Sequence, residues 1–437
     1  MAYTTTQTTG LGQRLGNSLK GVLFGLVLFV AGTGLLWWNE GNFVKTRAAL
    51  QEAQGVTREL GDITAMDASN NGQLVHASGP TETKEILEDP FFGVSVNAIR
   101  LTRTVEYFQW TEHKSSKKTT RVGGSEVETT TYAYKQEWVK EPVESARFTD
   151  PDAPAKHKNT VLVSFEDLPP LQASDVAFGA YRLPKFLIDA IGGAESFAIE
   201  PSADAIDKLN NQLTPRAAPP PASDSPPQTA SAEGAAEGGA EAAGENPPGK
   251  AEAPPPEAPR MVHVAGNEIY LGVSPELPRV GDMRIAFKKT MPAAVSLIAK
   301  VNGDTFEPYR AENGKTVGLL SMGTHSLENM YGDAHAGNEM LTWILRLAGV
   351  LCVCLCLGML AGPLTVLASV IPFLGRLVGI GAGIVGFLLG LAWSFLIIAL
   401  AWLFYRPLIG LVLLAAAAGL IWLLVVKTRS PGKATPP

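Results

Sequence analysis

The sequence predicts a multi-pass α-helical membrane protein with a β-rich, water-soluble domain inserted after the first of four membrane helices. All 42 acidic residues lie between Glu40 and Glu339, whereas the flanking pieces carry only Arg and Lys at their charged positions. Both flanks are dominated by long apolar runs, which is typical of membrane-spanning helices. The middle holds 28 of the 36 basic residues and has a net charge of −14. Phosphate contacts need clustered basic side chains, so no nucleic-acid partner is expected.

Residues 21–38 form the first predicted span. This apolar stretch of 18 residues is close to the lower limit for crossing ~30 Å of hydrocarbon. Trp37 and Trp38 end it and are expected to anchor it at the interface. The chain continues into Asn39-Glu40-Gly41 without a cleavage site of small residues. An uncleaved signal anchor is therefore favoured over a removed signal peptide.

Three further spans follow the soluble domain, at residues 341–371, 377–404 and 408–426. The first is too long for one perpendicular crossing, and Gly362-Pro363 is expected to kink it or end it. Arg346 lies near its start and is expected to reach the nearer interface with its long side chain. None of the spans contains Asp, Glu, Lys or His, which argues against a transporter or proton pump.

Small residues recur in these spans at the spacing used for helix packing. The predicted packing glycines are a 4-3-4 seam in the third span and a GxxxG pair in the second: Gly379, Gly383, Gly386 and Gly390, with Gly358 and Gly362. Contacts within one bundle are favoured, and a homo-oligomer is the alternative. The chain's three cysteines alternate along the second span, so a helix cannot present them together as metal ligands. Cys352, Cys354 and Cys356 are interpreted as small apolar packing residues.

Four spans place both ends of the chain on one side of the membrane. Residues 1–20 and 427–437 are basic and free of acidic residues, which indicates that this side is the cytoplasm and that the acidic domain is exported. Within that domain, residues 39–214 and 260–340 show strand patterns. Between them, residues 215–259 are rich in Ala, Pro, Gly and Glu, and this composition predicts a disordered linker.

Alternating residues at 98–110 and 126–138, separated by Gly123-Gly124-Ser125, predict a long β-hairpin. The basic residues near its turn are interpreted as a solvated hairpin end rather than a binding patch: Lys114, Lys117, Lys118 and Arg121. A helix capped by Ser202 is expected at 202–213. Further strands are predicted at 159–165, 261–270, 282–289 and 294–301, the last followed by an Asn302-Gly303 turn.

The sequence contains no recognisable pattern for catalysis or for holding a cofactor or a metal. Its six histidines show neither the HxxxH nor the HExxH spacing of a helical metal site. There is no GxSxG, P-loop or dinucleotide fingerprint, and the GIGAG string at 379–383 lies within a membrane span. The sequence therefore predicts no catalytic residue, no cofactor, no metal site and no enzymatic activity.

Several longer strings follow one another along most of the chain: WNEG at 38–41, VEYFQWTE at 105–112, TYAYKQEW at 131–138, HKN at 157–159, VGDMRIAF at 280–287 and WLFYRP at 402–407. In these strings and this order the chain resembles the LUMA family, also called the transmembrane protein 43 family. From their residue types alone, Trp402, Tyr405 and Arg406 are interpreted as interfacial anchors, and Pro407 as part of the first turn of the last helix. The 215–259 linker departs from the family pattern.

The resemblance implies four spans, a large luminal domain and no known catalysis. Animal relatives sit in the endoplasmic reticulum and inner nuclear membrane, self-associate and bind lamina-linked proteins. Lamin partners are not carried over, because no motif here matches a lamin-binding surface. The Ala- and Pro-rich composition and the cysteine-free exported domain favour a bacterial relative, which would place that domain in the periplasm.

The leading hypothesis is a non-enzymatic membrane scaffold that organises other membrane or envelope proteins through its exported domain and its helix bundle. The alternative is an exported-side sensor or ligand-binding module that signals through the bundle. The predicted cytoplasmic segments are short, which leaves little room for an output domain and favours the scaffold. The expected partners are the lipid bilayer, other membrane proteins and a second copy of the chain.

Overall fold

The computed structural model describes residues 3–165, 169–217 and 261–407. The predicted last span at 408–426 and nearly all of the predicted linker lie outside these residues. The described helices are α1 (Leu11–Val56), α2 (Ala153–Lys156), α3 (Lys185–Ala190), α4 (Ala203–Ala217), α5 (Leu327–Leu360), α6 (Gly362–Ala368) and α7 (Pro372–Tyr405). Two short 3₁₀ turns occur at Ala68–Asn70 and Ser145–Arg147.

The first eleven described strands are β1 (Tyr3–Thr9), β2 (Arg58–Glu59), β3 (Leu74–Glu82), β4 (Ile86–Glu88), β5 (Ser95–Asn97), β6 (Arg100–Thr120), β7 (Glu126–Val139), β8 (Leu171–Gln172), β9 (Ala177–Phe178), β10 (Tyr181–Arg182) and β11 (Ala194–Ser196). The others are β12 (Val262–Ala265), β13 (Glu268–Leu271), β14 (Met283–Thr290), β15 (Ala294–Asn302), β16 (Thr305–Glu307), β17 (Tyr309–Arg310), β18 (Thr316–Val317) and β19 (Leu319–Met322).

These strands form two large sheets and two small ribbons within the described ranges. The first sheet has the order β1-β7-β6-β14-β13-β12, and β8 and β11 pair with β6 and β14. The second has the order β10-β9-β3-β15-β16, and β2 and β19 pair with β3 and β15. β4 pairs with β5 and β17 with β18. Only the β2–β3 pair is parallel among the described pairs, so the domain is built almost entirely from antiparallel strands.

Within the described ranges, three helices are long and apolar enough to cross a membrane: α1, α5 and α7. Gly32 of α1 lies against Cys352 of α5, and Cys354 lies against Gly390 of α7. α5 ends where Pro363 follows, because proline lacks the N–H needed to continue the helical ladder. Large apolar side chains face outward along the bundle, as lipid contact requires: Leu23, Phe24, Val27, Leu351, Leu355, Leu388 and Phe395. The prediction of a membrane protein with an inserted β-rich domain is confirmed.

Two membrane helices continue without a break into the β-rich domain. The last part of α1 and the first part of α5 bury apolar side chains in one core with the second sheet: Ala49, Leu50, Ala53, Leu74, Ile298, Met330 and Tyr331. The hydroxyl groups of Thr57 and Tyr331 are also hydrogen-bonded at 2.8 Å. Because this core fixes both helices, the domain and the bundle share one packed unit. The first span therefore forms less than half of α1.

Each large sheet also has a core of its own. The second sheet packs against α3, with Phe178, Leu187 and Leu297 fully buried. The first sheet packs against α4, with Ile269, Ile285 and Phe287 fully buried. The alternation of buried and partly exposed residues along β14 follows the period of two that a half-buried strand requires.

The β6–β7 hairpin lies alongside α1 instead of projecting freely into solvent. β6 and α1 are both about 70 Å long, from the rise per residue of a strand and of a helix. At the hairpin turn, Arg14 donates from Nη1 to the carbonyl oxygen of Gly124 at 2.6 Å. The backbone N–H of Gly123 donates to the carbonyl oxygen of Val370 at 3.0 Å. The hairpin end therefore meets the N-terminal end of α1 and the α6–α7 turn.

The N-terminal strand β1 extends this hairpin to three strands. It pairs antiparallel with β7, so that Tyr3 lies opposite Tyr132 and Thr9 opposite Glu126. Alternation along the strands turns one face towards α1 and α6, where Glu126 meets Arg14 at 3.5 Å. The opposite face carries mainly hydroxyl groups: Thr4, Thr6, Thr8, Thr129 and Thr131. The basic residues of β6 predicted to be solvated are exposed: Lys114, Lys117 and Lys118.

This contact bears on the predicted membrane topology. The charge pattern predicts opposite sides of the membrane for residues 1–20 and for the acidic domain, whereas the hairpin end of that domain touches the start of α1. The predicted orientation and this contact are consistent with each other only if the hairpin runs beside the helices across the bilayer.

Two predicted strands are wrong. Residues 159–165 have no regular structure, because Asn159 uses its side chain to bond Trp110 and Val143 instead of entering a ladder. The strand predicted at 261–270 is two strands, β12 and β13, which turn at Gly266. Gly266 has a φ of 59°, which glycine adopts without steric cost. The predicted hairpin turn at Asn302-Gly303 is confirmed.

Candidate functional site: a polar cluster at the domain-side end of the helix bundle

A buried ion pair joins α1 to α5 at the end of the bundle nearest the β-rich domain. Arg346 donates from Nε to Oε1 of Glu40 at 2.6 Å and from Nη2 to Oε2 at 2.7 Å. Glu40 is 1% exposed, and the side chain of Arg346 is 13% exposed. Two parallel N–H···O bonds fix the relative position and rotation of the two side chains. The pair therefore holds α1 and α5 in one register.

The third helix, α7, joins the same pair. Trp402 donates from Nε1 to Oε2 of Glu40 at 2.8 Å. The guanidinium group of Arg346 lies 4.8 Å from the ring centre of Trp343 and 5.7 Å from that of Trp402, within the range of a cation–π interaction. These four side chains form what we call the Glu40 cluster: Glu40, Trp343, Arg346 and Trp402.

Side-chain amides bridge α1 and α5 on either side of this cluster. Asn39 donates from Nδ2 to the carbonyl oxygen of Thr342 at 3.1 Å, and Asn338 donates to that of Phe43 at 3.2 Å. Thr342 in turn donates to the carbonyl oxygen of Asn338 at 2.7 Å. Each helix therefore donates to the backbone of the other, which is a common means of joining membrane helices.

Arg406, directly after α7, packs its guanidinium group over two aromatic rings. It lies 4.7 Å from the ring centre of Phe43 and 5.5 Å from that of Trp402. Within the described part of the chain, Nη2 of Arg406 and Oδ1 of Asn39 are buried without a hydrogen-bond partner. Arg406 is therefore fixed by aromatic stacking against α1.

The other residues of the WNEG and WLFYRP strings surround the Glu40 cluster, and most of them are aromatic. Gly41 lies beneath Tyr405, and a Cβ atom at Gly41 would come within 2.6 Å of the Tyr405 ring. Trp37 packs at 5.9 Å from the ring of Tyr405. Trp38 is 56% exposed, in keeping with an interfacial position. Pro407 is exposed and is the last described residue.

The first and last of the family-like strings, WNEG at 38–41 and WLFYRP at 402–407, therefore meet in space. They lie on opposite sides of the Glu40 cluster. Arg346, whose side chain was predicted to be able to reach the nearer interface, is bonded to Glu40 at the domain-side end of the bundle. The sequence did carry a signal for this pair: an acidic residue follows the first span and a lone basic residue lies inside the second. Antiparallel packing brings these two positions to the same depth, where an ionised group needs a partner.

The predicted packing glycines take different positions. A Cβ atom at Gly386 would lie 3.0 Å from the backbone nitrogen of Gly358, and one at Gly390 would lie 2.6 Å from Sγ of Cys354. Gly379 faces Thr365 of α6 at 3.2 Å, whereas Gly383 has no atom within 4 Å. Part of the seam therefore contacts neighbouring helices of the same chain.

The remaining small residues lie at other helix contacts. A Cβ atom at Gly362 would be 3.7 Å from Cβ of Ser18. Cys354 and Cys356 are buried, and Cys352 is half-buried near α1. All three are free thiols, in agreement with their interpretation as packing residues.

A second group of motif residues meets in the β-rich domain. The imidazole ring of His157 packs 4.3 Å from the ring of Trp110 and 4.7 Å from that of Tyr134. Tyr134 donates to Glu112 at 2.8 Å, and Glu112 also accepts from the backbone N–H and the hydroxyl group of Thr149. This aromatic clasp holds residues 143–159 against the hairpin.

The hydrogen bonds of the clasp affect its ionisable groups. Burial opposes ionisation of Glu112, but the hydrogen bonds from Thr149 and Tyr134 outweigh it and lower the pKa of this carboxyl group. Burial and the bond to Glu112 raise the pKa of Tyr134 to about 12. At Asp282 burial outweighs the hydrogen bonds from Tyr270 and Arg279, and its pKa is raised. Both oxygens of Glu112 and Oδ2 of Asp282 accept hydrogen bonds from protein groups.

No group of three or more His, Cys, Asp or Glu side chains in the described ranges could hold a metal ion. The structure thus brings charged residues together as internal pairs. Both oxygens of Glu40 and both of Glu112 accept hydrogen bonds from protein groups. The arrangement is suited to fixing helices and loops in place.

Comparison with known proteins gives one consistent family. The model for Transmembrane protein 43 matches residues 107–407. The human protein named Transmembrane protein 43 is 29% identical over 439 residues, covering 98% of this chain and 95% of the human protein. Transmembrane protein 43 homolog of Drosophila melanogaster is 26% identical over 421 residues, covering 92% and 93% of the two chains. No solved structure matches the chain. The chain belongs to the transmembrane protein 43 family.

Proposed function

We propose that this protein is a non-enzymatic membrane scaffold that organises membrane protein assemblies through its β-rich domain and its helix bundle. The observation that carries the proposal is the rigid connection between these two parts. α1 and α5 run from the membrane into the domain core, and the Glu40–Arg346 pair fixes them beside each other. A partner bound to the domain would therefore be held at a fixed position relative to the bilayer.

The use of polar groups supports a structural role. Carboxylates that act as general bases or nucleophiles need an oxygen that a substrate can reach. Glu40 accepts three hydrogen bonds from Arg346 and Trp402, and Glu112 accepts three from Thr149 and Tyr134. We therefore assign no catalytic residue to either cluster.

The scaffold proposal is tested by crosslinking in native membranes. A photo-crosslinking residue at exposed Leu277 of the β-rich domain should capture a reproducible set of membrane or envelope proteins. A chain with Arg346→Met should capture less of the same set, because the domain is no longer held rigidly on the bundle. If the photo-crosslinker captures nothing beyond lipid and background, the scaffold proposal is wrong.

The alternative is a sensor whose domain binds a ligand and signals through the same helices. The continuous helices support it as well, because a movement in the domain core would be carried to the bundle. Distance measurements between spin labels on the cytoplasmic and domain ends of α1 and α5 distinguish the two. A scaffold keeps these distances when it binds its partners, whereas a sensor changes them.

For orientation, our proposal is that residues 1–20 are cytoplasmic and the β-rich domain is exported. Taken with the Arg14–Gly124 contact, this orientation requires the hairpin turn to reach the cytoplasmic interface. Single cysteines test it in a background in which the three native cysteines are replaced by alanine. A membrane-impermeant reagent should label Leu277→Cys from the exported side and Val122→Cys from the cytoplasmic side. Labelling of both from the same side would contradict either the orientation or the hairpin position.

A further inference from the structure

A polar crevice opens at the N-terminal end of α1, far from the Glu40 cluster. It has a volume of about 340 Å³ and lies between β1, the β6–β7 hairpin, α1 and α6. Its charged and amide side chains are Gln7, Gln13, Arg14, Asn17, Lys118, Glu126 and Glu128. Two cations and two carboxylates give it a formal net charge of zero. We call it the N-terminal crevice.

The four charged side chains differ in how far their bonds are used within the protein. Arg14 donates from Nη1 to Gly124 at 2.6 Å and to Ser369 at 2.9 Å, and its Nη2 lies 3.5 Å from Glu126. Its role is therefore to fix the hairpin end against the α6–α7 turn. Glu126 is the carboxylate that this guanidinium group holds in place.

Lys118 and Glu128 are held much more loosely. Nζ of Lys118 lies 3.5 Å from Glu128 and 3.7 Å from Glu126, and its side chain is 59% exposed. Both distances exceed those of a direct N–H···O hydrogen bond. Among the described residues, Glu128 has no other charged partner. This cation and this carboxylate can therefore each bind another ion of opposite charge in the crevice.

Amide side chains from β1 and α1 add to the polar lining: Gln7, Gln13 and Asn17. Gln13 and Asn17 are four residues apart on α1, so they project from the same face of the helix. Both are exposed, and neither has a side-chain hydrogen bond to another described residue. They offer N–H donors beside the ammonium group of Lys118.

The crevice also lies at the depth of lipid headgroups. Arg14 precedes the apolar stretch at 21–38 by seven residues, or about 10 Å of helix. The headgroup layer occupies a comparable thickness on each side of the hydrocarbon. Val366 of α6 lines the crevice, and its neighbours Leu364 and Leu367 are 60% and 52% exposed. An apolar surface for acyl chains therefore adjoins the polar lining.

We propose that the N-terminal crevice binds the headgroup of an ethanolamine phospholipid. Lys118, Gln13 and Asn17 would donate to the phosphate group, and Glu128 would accept from the primary ammonium group. The ethanolamine headgroup carries a negative phosphate group and a positive ammonium group, so its net charge of zero matches that of the crevice. A choline headgroup has no N–H to donate to Glu128, and a glycerol headgroup would bring a net negative charge beside two carboxylates.

The test measures retained lipid on the full-length protein by native mass spectrometry. Delipidated protein is exposed in mixed micelles to phosphatidylethanolamine, phosphatidylcholine or phosphatidylglycerol. We expect preferential retention of the ethanolamine lipid, reduced about tenfold by Lys118→Ala, which removes a donor to the phosphate, and by Glu128→Gln, which removes the charge opposite the ammonium group. Lys117→Ala is the matched control, because it removes the same charge from the opposite face of β6 and should leave retention unchanged.

Other outcomes would overturn the proposal. Equal retention of the three lipids, or equal effects of Lys117→Ala and Lys118→Ala, would show that the crevice does not select the headgroup. Binding of soluble phosphoethanolamine as tightly as the lipid would overturn the lipid assignment, because acyl chains would then contribute nothing. The test is independent of the scaffold proposal, since lipid retention is measured without any protein partner.

Discussion

The two ends of the helix bundle both contain Glu paired with a basic residue, but the pairs differ in burial and geometry. At the domain-side end, Glu40 is 1% exposed and bonded to Arg346 at 2.6 and 2.7 Å. At the N-terminal end, Lys118 is 59% exposed and lies 3.5 Å from Glu128. An ion pair that is desolvated and bidentate fixes a structure, whereas an exposed pair contributes little and can exchange partners. The first end is therefore built for rigidity and the second for binding.

The largest effect should follow from breaking the domain-side pair. Arg346→Met leaves Glu40 buried without its counter-charge, which should destabilise the protein by about 3–5 kcal/mol. The measurement is unfolding of the purified protein in detergent. Arg376→Met is the control at the other end of the bundle, because Arg376 is exposed and should cost less than about 0.5 kcal/mol. Equal losses in the two variants would remove the distinction between the ends.

The second prediction concerns the packing between the ends. Gly386→Leu places a large side chain against the backbone of Leu357 and Gly358 and should destabilise the protein by about 1–3 kcal/mol. Gly383→Leu adds the same side chain where no atom lies within 4 Å and should leave monomer stability nearly unchanged. Loss of an oligomer in Gly383→Leu alone would show that this part of the seam faces another protomer.

A smaller effect, of opposite sign at the two ends, should come from adding one methyl group to α1. Gly41→Ala brings its Cβ atom into the Tyr405 ring and should cost about 1 kcal/mol, since the ring can shift. Gly16→Ala meets no atom within 4 Å and should stabilise the helix by up to about 1 kcal/mol. Thermal unfolding of the two single variants measures both. A loss of stability in Gly16→Ala would indicate that the N-terminal end is more tightly packed than described.

The smallest effect should be a pH dependence of the aromatic clasp, which lies in the β-rich domain. Because the pKa of Glu112 is lowered in the folded state from its ordinary 4.5, this group adds stability above pH ~4.5. That contribution is lost as the pH falls from ~4.5 through the lower folded value. Asp282, whose pKa is raised, contributes the opposite slope.

Comparison of the wild type with Glu112→Gln isolates this contribution. The variant should lose less stability than the wild type between neutral pH and pH ~3, measured by denaturant unfolding at each pH. Parallel curves for the two proteins would show that Glu112 is not held by the clasp in solution.

Hydropathy and charge were sufficient to predict the three membrane helices among the described residues, because lipid contact demands long apolar runs whatever the fold. The β6–β7 hairpin was equally accessible, since its alternation and its glycine turn are local signals. The pairing of strands that are distant in the sequence could not be predicted. β1 has too few apolar residues to predict a strand, and its pairing with β7 depends on where α1 brings it.

The candidate site was predictable in part. The two end motifs were identified, but nothing local to WNEG or WLFYRP indicated that Glu40 and Trp402 would touch. Arg346 was assigned to the interface because its long side chain permits that position. The partner that keeps it inside comes from α1, about 300 residues earlier in the chain. Contacts of this kind need the packing of α1 against α5, which one sequence does not specify.

The unbroken course of α1 has a consequence for insertions and deletions. Between Glu40 and Leu50 the helix connects two fixed points, one in the Glu40 cluster and one in the core of the second sheet. One added residue would rotate everything beyond it by about 100° and move it by about 1.5 Å. Either Glu40 would then leave Arg346 or Leu50 would leave its core. Residues 40–50 should therefore keep a constant length across the family, even where their side chains change.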